Sequence, residues 1–191
     1  MLHAFLHTTR LFSDAEIAEI AALFTRRELR KGEAFVREGQ RCTEVAFVES
    51  GVFRSYYTSE AGEEMTYCFR FPGDLMAAYS SFISGNESRE TMEAIGPAVV
   101  HVIRKADVDR LAELPSWIHF LKNIAENEYM ELENRLFQLQ RVSALTRYQT
   151  LLEKQPEYVR LIPLQFLASY LGVTQRHLSR IRRQLAFGQM S

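Results

Sequence analysis

The hydrophobic positions near the carboxyl end predict two short helices joined by a glycine turn. In the first helix the apolar residues recur at the i, i+3, i+4, i+7 spacing of one helix face: Leu164, Leu167, Ala168 and Leu171. Gly172 can adopt the left-handed backbone that ends such a helix. Thr174 is a good N-cap for the second helix, whose apolar face is Leu178, Ile181 and Leu185.

The side of the second helix opposite its apolar stripe is polar and basic. At 100° per residue, that side contains Arg176, Ser179, Arg180 and Arg183. Two short helices, a glycine turn and an outward row of arginines are typical of a DNA-reading helix-turn-helix. An ordinary helical hairpin with a solvated basic face would show the same pattern.

Earlier parts of the chain predict one capped helix followed by a β-rich segment. Ser13 and Glu16 form a capping box, which predicts a helix over 13–24. Glycines then divide the segment from Glu28 to Arg104 into short apolar runs. The clearest strand is Glu64 to Phe71, in which the apolar members alternate with polar ones: Met65, Tyr67, Phe69 and Phe71. Many short strands of this kind predict a β-sandwich or barrel.

A long helix is predicted over 116–140. Apolar residues recur along it at strict intervals of seven: Ile118, Ala125, Leu132 and Leu139, with Leu121 and Leu136 alongside. A strict heptad favours a seam with a partner helix, although packing on the β-segment of the same chain is the alternative. Glu128 and Arg135 fall at d-type positions, so the seam is mixed. Another helix is predicted over about 144–154.

Composition and charge support a polyanionic partner for the basic carboxyl end, although a basic segment without a partner is also common. The 191 residues are 47% hydrophobic and 25% charged, as in an ordinary globular protein. No apolar run is long enough to span a bilayer and the amino terminus has no secretory signal pattern, so we expect a cytoplasmic protein without membrane contact. Residues 143–191 contain seven Lys and Arg against two Asp and Glu, a net charge of +5, whereas 1–142 carry −6.

The sequence offers few residues that could bind an iron–sulfur or haem cofactor. An iron–sulfur sensor needs about four cysteines, and the chain has only Cys42 and Cys68, which we expect to be buried thiols. His101 is the one histidine in a predicted strand, where a packed or surface role is expected over haem ligation. We therefore expect no cofactor, no metal site and no catalytic residue.

The order of these parts resembles the Crp/Fnr family of bacterial transcription regulators. The matching segments in the β-region are 31–33, 38–39, 48–51 and 71–75, and those in the helix-turn-helix are 167–174 and 178–182. The resemblance implies an α+β fold with an amino-terminal antiparallel β-roll of the cyclic-nucleotide-binding, double-stranded jelly-roll type, flanked by helices. A long dimerisation helix and a carboxyl-terminal winged helix-turn-helix complete it, and the short segment 155–162 predicts a reduced or missing wing strand. The implied domains are 1–115 for the effector domain, 116–142 for the dimerisation helix and hinge, and 143–191 for DNA binding.

The resemblance also implies partners and site residues. The expected partners are double-stranded DNA with an inverted repeat, a second copy of the chain, a small-molecule effector of unknown identity and, as a further candidate, RNA polymerase. The DNA-binding residues would be Thr174, Gln175, Arg176, Ser179, Arg180 and Arg183. The dimer interface would contain Ile118, Leu121, Ala125, Leu132 and Leu139. The effector-binding residues would be Gly73, Asp74, Leu75, Arg89, Glu90 and Thr91.

Departures from the family pattern predict that this pocket does not bind cyclic AMP. Family members that bind it have a glutamate where this chain has Asp74, which is one methylene shorter. Arg89 is followed by Glu90, an acid that would repel a cyclic phosphate. The pocket could take another small molecule or be filled by Met76, Tyr79 and Phe82.

Two alternatives remain beside the effector-controlled regulator. The first is a ligand-independent DNA-binding regulator with a filled pocket. The second is a cupin-like metalloenzyme, for which the five histidines are too scattered to supply a ligand cluster.

Overall fold

Eight antiparallel strands form two facing four-stranded sheets in the amino-terminal half of the chain. A computed structural model describes residues 1–188, except for the side chains at 157, 158 and 186–188. The last three residues of the predicted 143–191 unit therefore lie outside the described residues. The strands are β1 Thr25–Leu29, β2 Ala34–Val36, β3 Glu44–Ser50, β4 Phe53–Thr58, β5 Glu64–Arg70, β6 Leu75–Met76, β7 Thr91–Ala94 and β8 Ala98–Arg104. One sheet has the order β1-β8-β3-β6 and the other β2-β7-β4-β5, so the predicted β-roll is confirmed.

Helices precede, interrupt and follow this β-roll. They are α1 Leu2–Thr8, α2 Asp14–Ala22, α3 Tyr79–Ser84, α4 Lys105–Leu111, α5 Pro115–Arg141, α6 Ala144–Lys154, α7 Pro156–Val159, α8 Leu164–Tyr170 and α9 Gln175–Gly188. Pro115 stands in the first turn of α5, where its missing N–H costs no hydrogen bond. None of the helices in residues 1–188 combines the length and the apolar character needed to cross a membrane.

Two apolar clusters hold the molecule together. The larger lies between the two sheets and extends to the amino-terminal helices and the start of α5, with Leu6, Phe47, Phe53, Val100 and Trp117 among its buried members. The second joins the carboxyl-terminal helices to the β-roll, because it contains strand and loop residues as well as helix residues. Its buried members include Val52, Phe69, Ile95, Leu167, Leu171 and Leu178.

Local sequence signals account for several element boundaries. The Oγ of Ser13 accepts the Glu16 N–H while the Glu16 carboxylate accepts the Ser13 N–H at 2.7 Å, so the predicted capping box is confirmed. Gly51 connects β3 to β4 with φ of +90°, and a Cβ there would lie 2.5 Å from that of Ala98. Only glycine fits this turn because both the backbone angle and the space exclude a side chain.

The structure differs from the sequence expectation at two places. Helix α1 was not predicted, although Leu2 and Leu6 are four residues apart and both buried. The alternation in β5 is not clean, since Thr66 is buried and Phe69 packs outward. Helix α8 covers the outer side of this strand, so both faces of β5 are partly buried.

The segment where a reduced or missing wing strand was predicted is helical. No strand follows β8 within the described residues, and α7 occupies this segment.

Candidate nucleic-acid interface and ligand cavities

Helices α8 and α9 form a helix-turn-helix whose turn is built as the sequence indicates. Leu167 and Leu171 of the first helix are fully buried against Leu178 of the second. Gly172 has φ of +66°, the left-handed value that ends the first helix. The His177 N–H donates to the Thr174 Oγ1 at 3.2 Å, so the predicted N-cap is present.

The outer side of α9 is a continuous polar surface. All six predicted DNA-binding residues are exposed: Thr174, Gln175, Arg176, Ser179, Arg180 and Arg183. Arg182 is different, because its Nε donates to the hydroxyl of Tyr148 at 3.0 Å and the side chain is half-buried. The exposed arginines can reach base edges or phosphates, while Arg182 fixes α9 on α6.

Two arginines tie the helix-turn-helix to the end of α5. The Arg147 guanidinium donates to the carbonyl oxygen of Leu171 at 2.6 Å and to that of Gln138 at 3.1 Å. The Arg135 guanidinium donates to the Tyr170 carbonyl oxygen and lies 3.9 Å from the centre of the Tyr170 ring. These donors satisfy carbonyl groups at the end of α8 that have no partner within the helix.

Helix α8 also docks on the outer side of β4 and β5. The Thr66 N–H donates to the Ser169 Oγ at 2.8 Å, and the rings of Phe69 and Tyr170 are 5.1 Å apart. The Arg54 side chain is almost fully buried at this contact and lies under the Phe166 ring at 3.6 Å. The orientation of the helix-turn-helix is therefore set by β-roll residues as well as by α5.

Helix α5 leaves a row of apolar side chains uncovered along one side. We call this row the α5 stripe: Ile118, Tyr129, Leu132, Leu136 and Leu139, which are 44–66% exposed. Leu121 and Ala125, the other predicted interface residues, are half-buried, and Leu121 packs on the β-roll core. The two polar d-type residues point toward their own chain, since Glu128 pairs with Arg70 at 2.5 Å and Arg135 binds Tyr170.

A polar cavity of about 710 Å³ lies between β5, α5 and α6. Of the six predicted effector residues, it brings together Asp74 and Glu90. Asp74 accepts the Phe71 N–H at 2.8 Å, and Glu90 accepts the Tyr67 hydroxyl. Arg89 is exposed and lines neither this cavity nor the apolar one described below. Gly73 has φ of +98° in the turn before β6, and Thr91 is buried with its Oγ1 accepting the Glu38 N–H.

The polar cavity is lined by charges of both signs. Four acidic side chains line it, Asp74, Glu90, Glu128 and Glu131, together with four basic ones, Arg70, Arg135, Arg147 and Lys154. Burial raises the pKa of both Asp74 and Glu90 above the ordinary carboxyl value, since a charge loses water there. Sequence reasoning missed Arg70 and Glu128, because their meeting depends on how α5 crosses β5.

A second, apolar cavity of about 80 Å³ adjoins the first, between the β-roll and the start of α5. Leu75, predicted for effector binding, lines it together with the three residues predicted to fill the pocket: Met76, Tyr79 and Phe82. Met76 and Phe82 are buried and Tyr79 is 40% exposed. These side chains thus line a space rather than fill it.

Neither cysteine has the setting of a reactive thiol. Cys42 is buried, as predicted, whereas Cys68 is only partly buried and lines the polar cavity. Burial raises the pKa of Cys68 to about 11, which keeps the thiol protonated at neutral pH. Among residues 1–188, no three His, Cys, Asp or Glu side chains are grouped so that they could hold a metal ion.

Comparisons with known proteins identify this architecture. Residues 26–114 match the model of the cyclic nucleotide-binding domain family. The whole chain has the fold of Crp/Fnr-type transcription regulators. FixK2 from Bradyrhizobium japonicum is 24% identical with a TM-score of 0.78, over 87% of this chain and 86% of FixK2.

Two further structures show the same fold at lower identity. A Crp/Fnr-family transcriptional regulator from Eubacterium rectale is 18% identical with a TM-score of 0.72, over 93% of this chain and 85% of that one. The c-di-GMP-responsive global regulator CLP from Xanthomonas campestris is 16% identical with a TM-score of 0.67, over 93% of each chain. No curated protein sequence matches this chain significantly. The fold that these structures share with this chain is a β-roll joined to a helix-turn-helix, not a β-barrel alone.

Proposed function

We propose that this chain is a homodimeric, sequence-specific DNA-binding transcription regulator of Crp/Fnr type. Its proposed units are an effector domain over 1–115, a dimerisation helix and hinge over 116–142, and a DNA-binding unit over 143–191. The observation that carries the proposal is the exposed polar side of α9, on a helix capped by Thr174 and oriented by Gly172. A second helix of this kind is what enters the major groove in helix-turn-helix proteins.

The side chains on α9 fit the chemistry of base reading. An arginine fork can bridge O6 and N7 of guanine, and a glutamine can bridge N6 and N7 of adenine. Gln175, Arg176 and Arg180 lie within the first two turns of α9 and are free to make such contacts. Arg183 is one turn further along, where a phosphate contact is the better fit.

Dimerisation is supported by the α5 stripe. Five large apolar side chains in one exposed row are unusual on a solvated helix and typical of a partner interface. A two-fold dimer presents two recognition helices about one DNA turn, ~34 Å, apart. The operator is therefore expected to be an inverted repeat.

The effector domain is proposed to sense a small molecule other than cyclic AMP. The polar cavity of about 710 Å³ beside α5 favours this reading over a ligand-independent regulator with a filled pocket. DNA, a second copy and a small molecule are thus the proposed partners, with RNA polymerase as a further candidate, and the proposed location is the cytoplasm.

Selection of bound fragments from a genomic DNA library with the purified protein tests the function. We expect enrichment of one inverted-repeat sequence, and fluorescence anisotropy should then show at least ~1000-fold preference for it over unrelated DNA. A variant with Gln175, Arg176 and Arg180 all changed to alanine should lose the preference. Equal binding to all fragments, or none, would contradict the proposal.

A further inference from the structure

The Arg70–Glu128 ion pair lies at the junction of the two cavities. Arg70, Ala77, Tyr79 and Glu128 line both the apolar cavity and the polar cavity. The Arg70 Nη2 donates to the Glu128 Oε2 at 2.5 Å, which ties β5 to α5. A molecule that spans the junction would therefore touch the guanidinium with its polar end and the apolar wall with its body.

The Arg70 guanidinium has hydrogen-bonding capacity that the described residues do not use. Its Nε finds no acceptor among them but is enclosed by protein atoms. Its Nη1 is the donor that a ligand can reach, because it makes no hydrogen bond with them and the Glu131 Oε2, at 4.0 Å, is too far away. Buried donors without acceptors cost free energy, and a nearby acceptor atom on a ligand would remove that cost.

The surrounding charge decides what kind of acceptor fits. Glu128 already compensates the Arg70 charge and Glu131 is 4.0 Å from its Nη1, whereas the other cations of the polar cavity lie further along α5 and on α6: Arg135, Arg147 and Lys154. A second anion would be repelled in an environment where water screens poorly. An uncharged oxygen accepts the same hydrogen bond without that repulsion.

The apolar cavity limits the size of the body. Its volume of about 80 Å³ is roughly half of the ~150 Å³ at which an engineered apolar cavity takes benzene, so three or four carbons fit. The wall consists almost wholly of apolar side chains, including Leu6, Met76, Ile103, Trp117 and Phe120.

We propose that the two cavities together bind a small uncharged molecule with a three- or four-carbon apolar body and a carbonyl oxygen that accepts from Arg70. The body occupies the apolar cavity, and the carbonyl lies at the junction with the polar cavity. This inference names the effector class of the proposed regulator. Binding of the molecule does not depend on the proposed function, but its role as an effector of transcription does.

A set of five-carbon probes that differ in their polar end tests the proposal. The probes are 2-pentanone, pentane, pentanoate and pentylammonium, and the readout is the NMR signal of the Met76 methyl group in protein labelled with [methyl-¹³C]methionine. The Met76→Leu variant assigns the signal, and exposed Met130 on α5 serves as an internal control. We expect a saturable shift of Met76 with 2-pentanone, about tenfold weaker binding of pentane, and weaker binding again of both ions.

Variants separate the polar contact from the apolar one. The double variant Arg70→Met, Glu128→Met removes the guanidinium donors without leaving an unpaired buried charge, so 2-pentanone should bind no better than pentane. Ala77→Leu narrows the junction and should weaken both probes. Arg30→Lys is the control at an exposed arginine that lines neither cavity and should change nothing.

Each other outcome overturns the proposal in a defined way. If pentanoate or pentylammonium binds best, the site is ionic and the assignment of an uncharged ligand is wrong. If the Arg70→Met, Glu128→Met variant leaves the preference for 2-pentanone intact, the guanidinium is not the donor. If no probe moves the Met76 signal, the cavity does not bind such ligands. The proposed function is tested separately, by measuring DNA binding with fluorescence anisotropy.

Discussion

The guanidinium of Arg54 lies between two aromatic rings, 3.6 Å from the centre of Phe166 and 3.9 Å from the centre of Tyr56. Its Nε donates to Glu93 at 2.7 Å and its Nη2 to Glu64 at 2.5 Å, so the buried charge is paired as well as stacked. Phe166 belongs to α8, the first helix of the helix-turn-helix. One β-roll side chain therefore stabilises both the second sheet and the docking of the DNA-binding unit.

Replacing Arg54 with alanine should destabilise the protein strongly. The change leaves Glu93, whose side chain is only 15% exposed, without its cation. Losing one member of a buried pair costs ~3–5 kcal/mol, so the free energy of unfolding in urea should fall by about that amount. Phe166→Leu removes the stacking and leaves the ion pairs, and it should cost only ~1–2 kcal/mol.

The control for Arg54 is Arg26, which pairs with Glu28 on the surface. Arg26→Ala should lower the free energy of unfolding by less than ~1 kcal/mol, because exposed pairs contribute little. Equal losses in Arg54→Ala and Arg26→Ala would show that burial and stacking of Arg54 add no stability.

The sequence predicts elements better than it predicts the contacts between them. The α2 cap, the α5 heptad, and the turn with its N-cap at Gly172 and Thr174 are local signals, and each is present in the structure. Arg54 carries no such signal, since a single arginine in a short strand looks like any surface residue until α8 covers it. The same holds for Arg70 and Glu128, which are 58 residues apart.

The effector residues illustrate why motif spacing is not enough. Asp74 and Glu90 line the polar cavity, but Arg89 is exposed. The neighbouring side chains of Arg89 and Glu90 point in different directions in the loop before β7. The direction of a side chain at the end of a loop depends on the local backbone, and short sequence patterns do not determine it. The heptad pattern places Glu128 and Arg135 in the predicted dimer seam, but both side chains contact residues of their own chain.

Leu132→Asp should convert the proposed dimer into monomers. The substitution places an unpaired charge in the middle of the α5 stripe, where a partner helix would have to desolvate it. Sedimentation velocity at micromolar concentration should show the shift. Asn123→Asp introduces the same charge on the opposite, exposed side of the helix and should remain dimeric. A wild-type protein that sediments as a monomer would contradict the proposed interface.

Two arginines of α9 should differ in what they recognise. Arg180→Ala should lower the affinity for the selected operator by ~1–3 kcal/mol and relax preference at one base pair. Arg183→Ala should weaken all DNA sequences alike and reduce the slope of log affinity against log salt by about one. Anisotropy titrations with single-base operator variants at several salt concentrations separate the two effects. Uniform, sequence-independent losses in both variants would contradict a base contact by Arg180.

Stability in acid should depend on Glu16. Hydrogen bonds from Ser116, at 2.6 Å, and from the backbone and side chain of Ser13 lower the pKa of Glu16 to about 2. Since the folded pKa lies below the unfolded value, the stabilisation is complete above pH ~4.5 and is lost as the pH falls toward 2. Glu16→Gln should remove this part of the pH dependence, so the melting temperature of this variant should fall less steeply between pH 4.5 and 2. Glu19→Gln, at an exposed position of α2, should retain the wild-type slope.

Cyclic AMP should not bind with a dissociation constant near micromolar. A cyclic phosphate entering beside α5 would meet Asp74, Glu90 and Glu128, while Arg70 is already paired with Glu128. Arg89, the arginine that the family resemblance assigns to the phosphate, is exposed outside the cavity. Losing the phosphate partner and shortening the ribose contact to Asp74 would together cost ~2–4 kcal/mol, or roughly 30- to 1000-fold in affinity.

Titration calorimetry with cyclic AMP and cyclic GMP measures this directly, and a dissociation constant of about 30 μM to 1 mM is expected for both. A Glu90→Gln variant removes one carboxylate from the cavity without changing its size, so any residual binding should become tighter, since repulsion by that charge is lost. Glu87→Gln, at an exposed position near the same loop, controls for the change in net charge. A micromolar dissociation constant that Arg89→Ala abolishes would restore a cyclic-nucleotide sensor, because it would require Arg89 to turn inward and hold the phosphate.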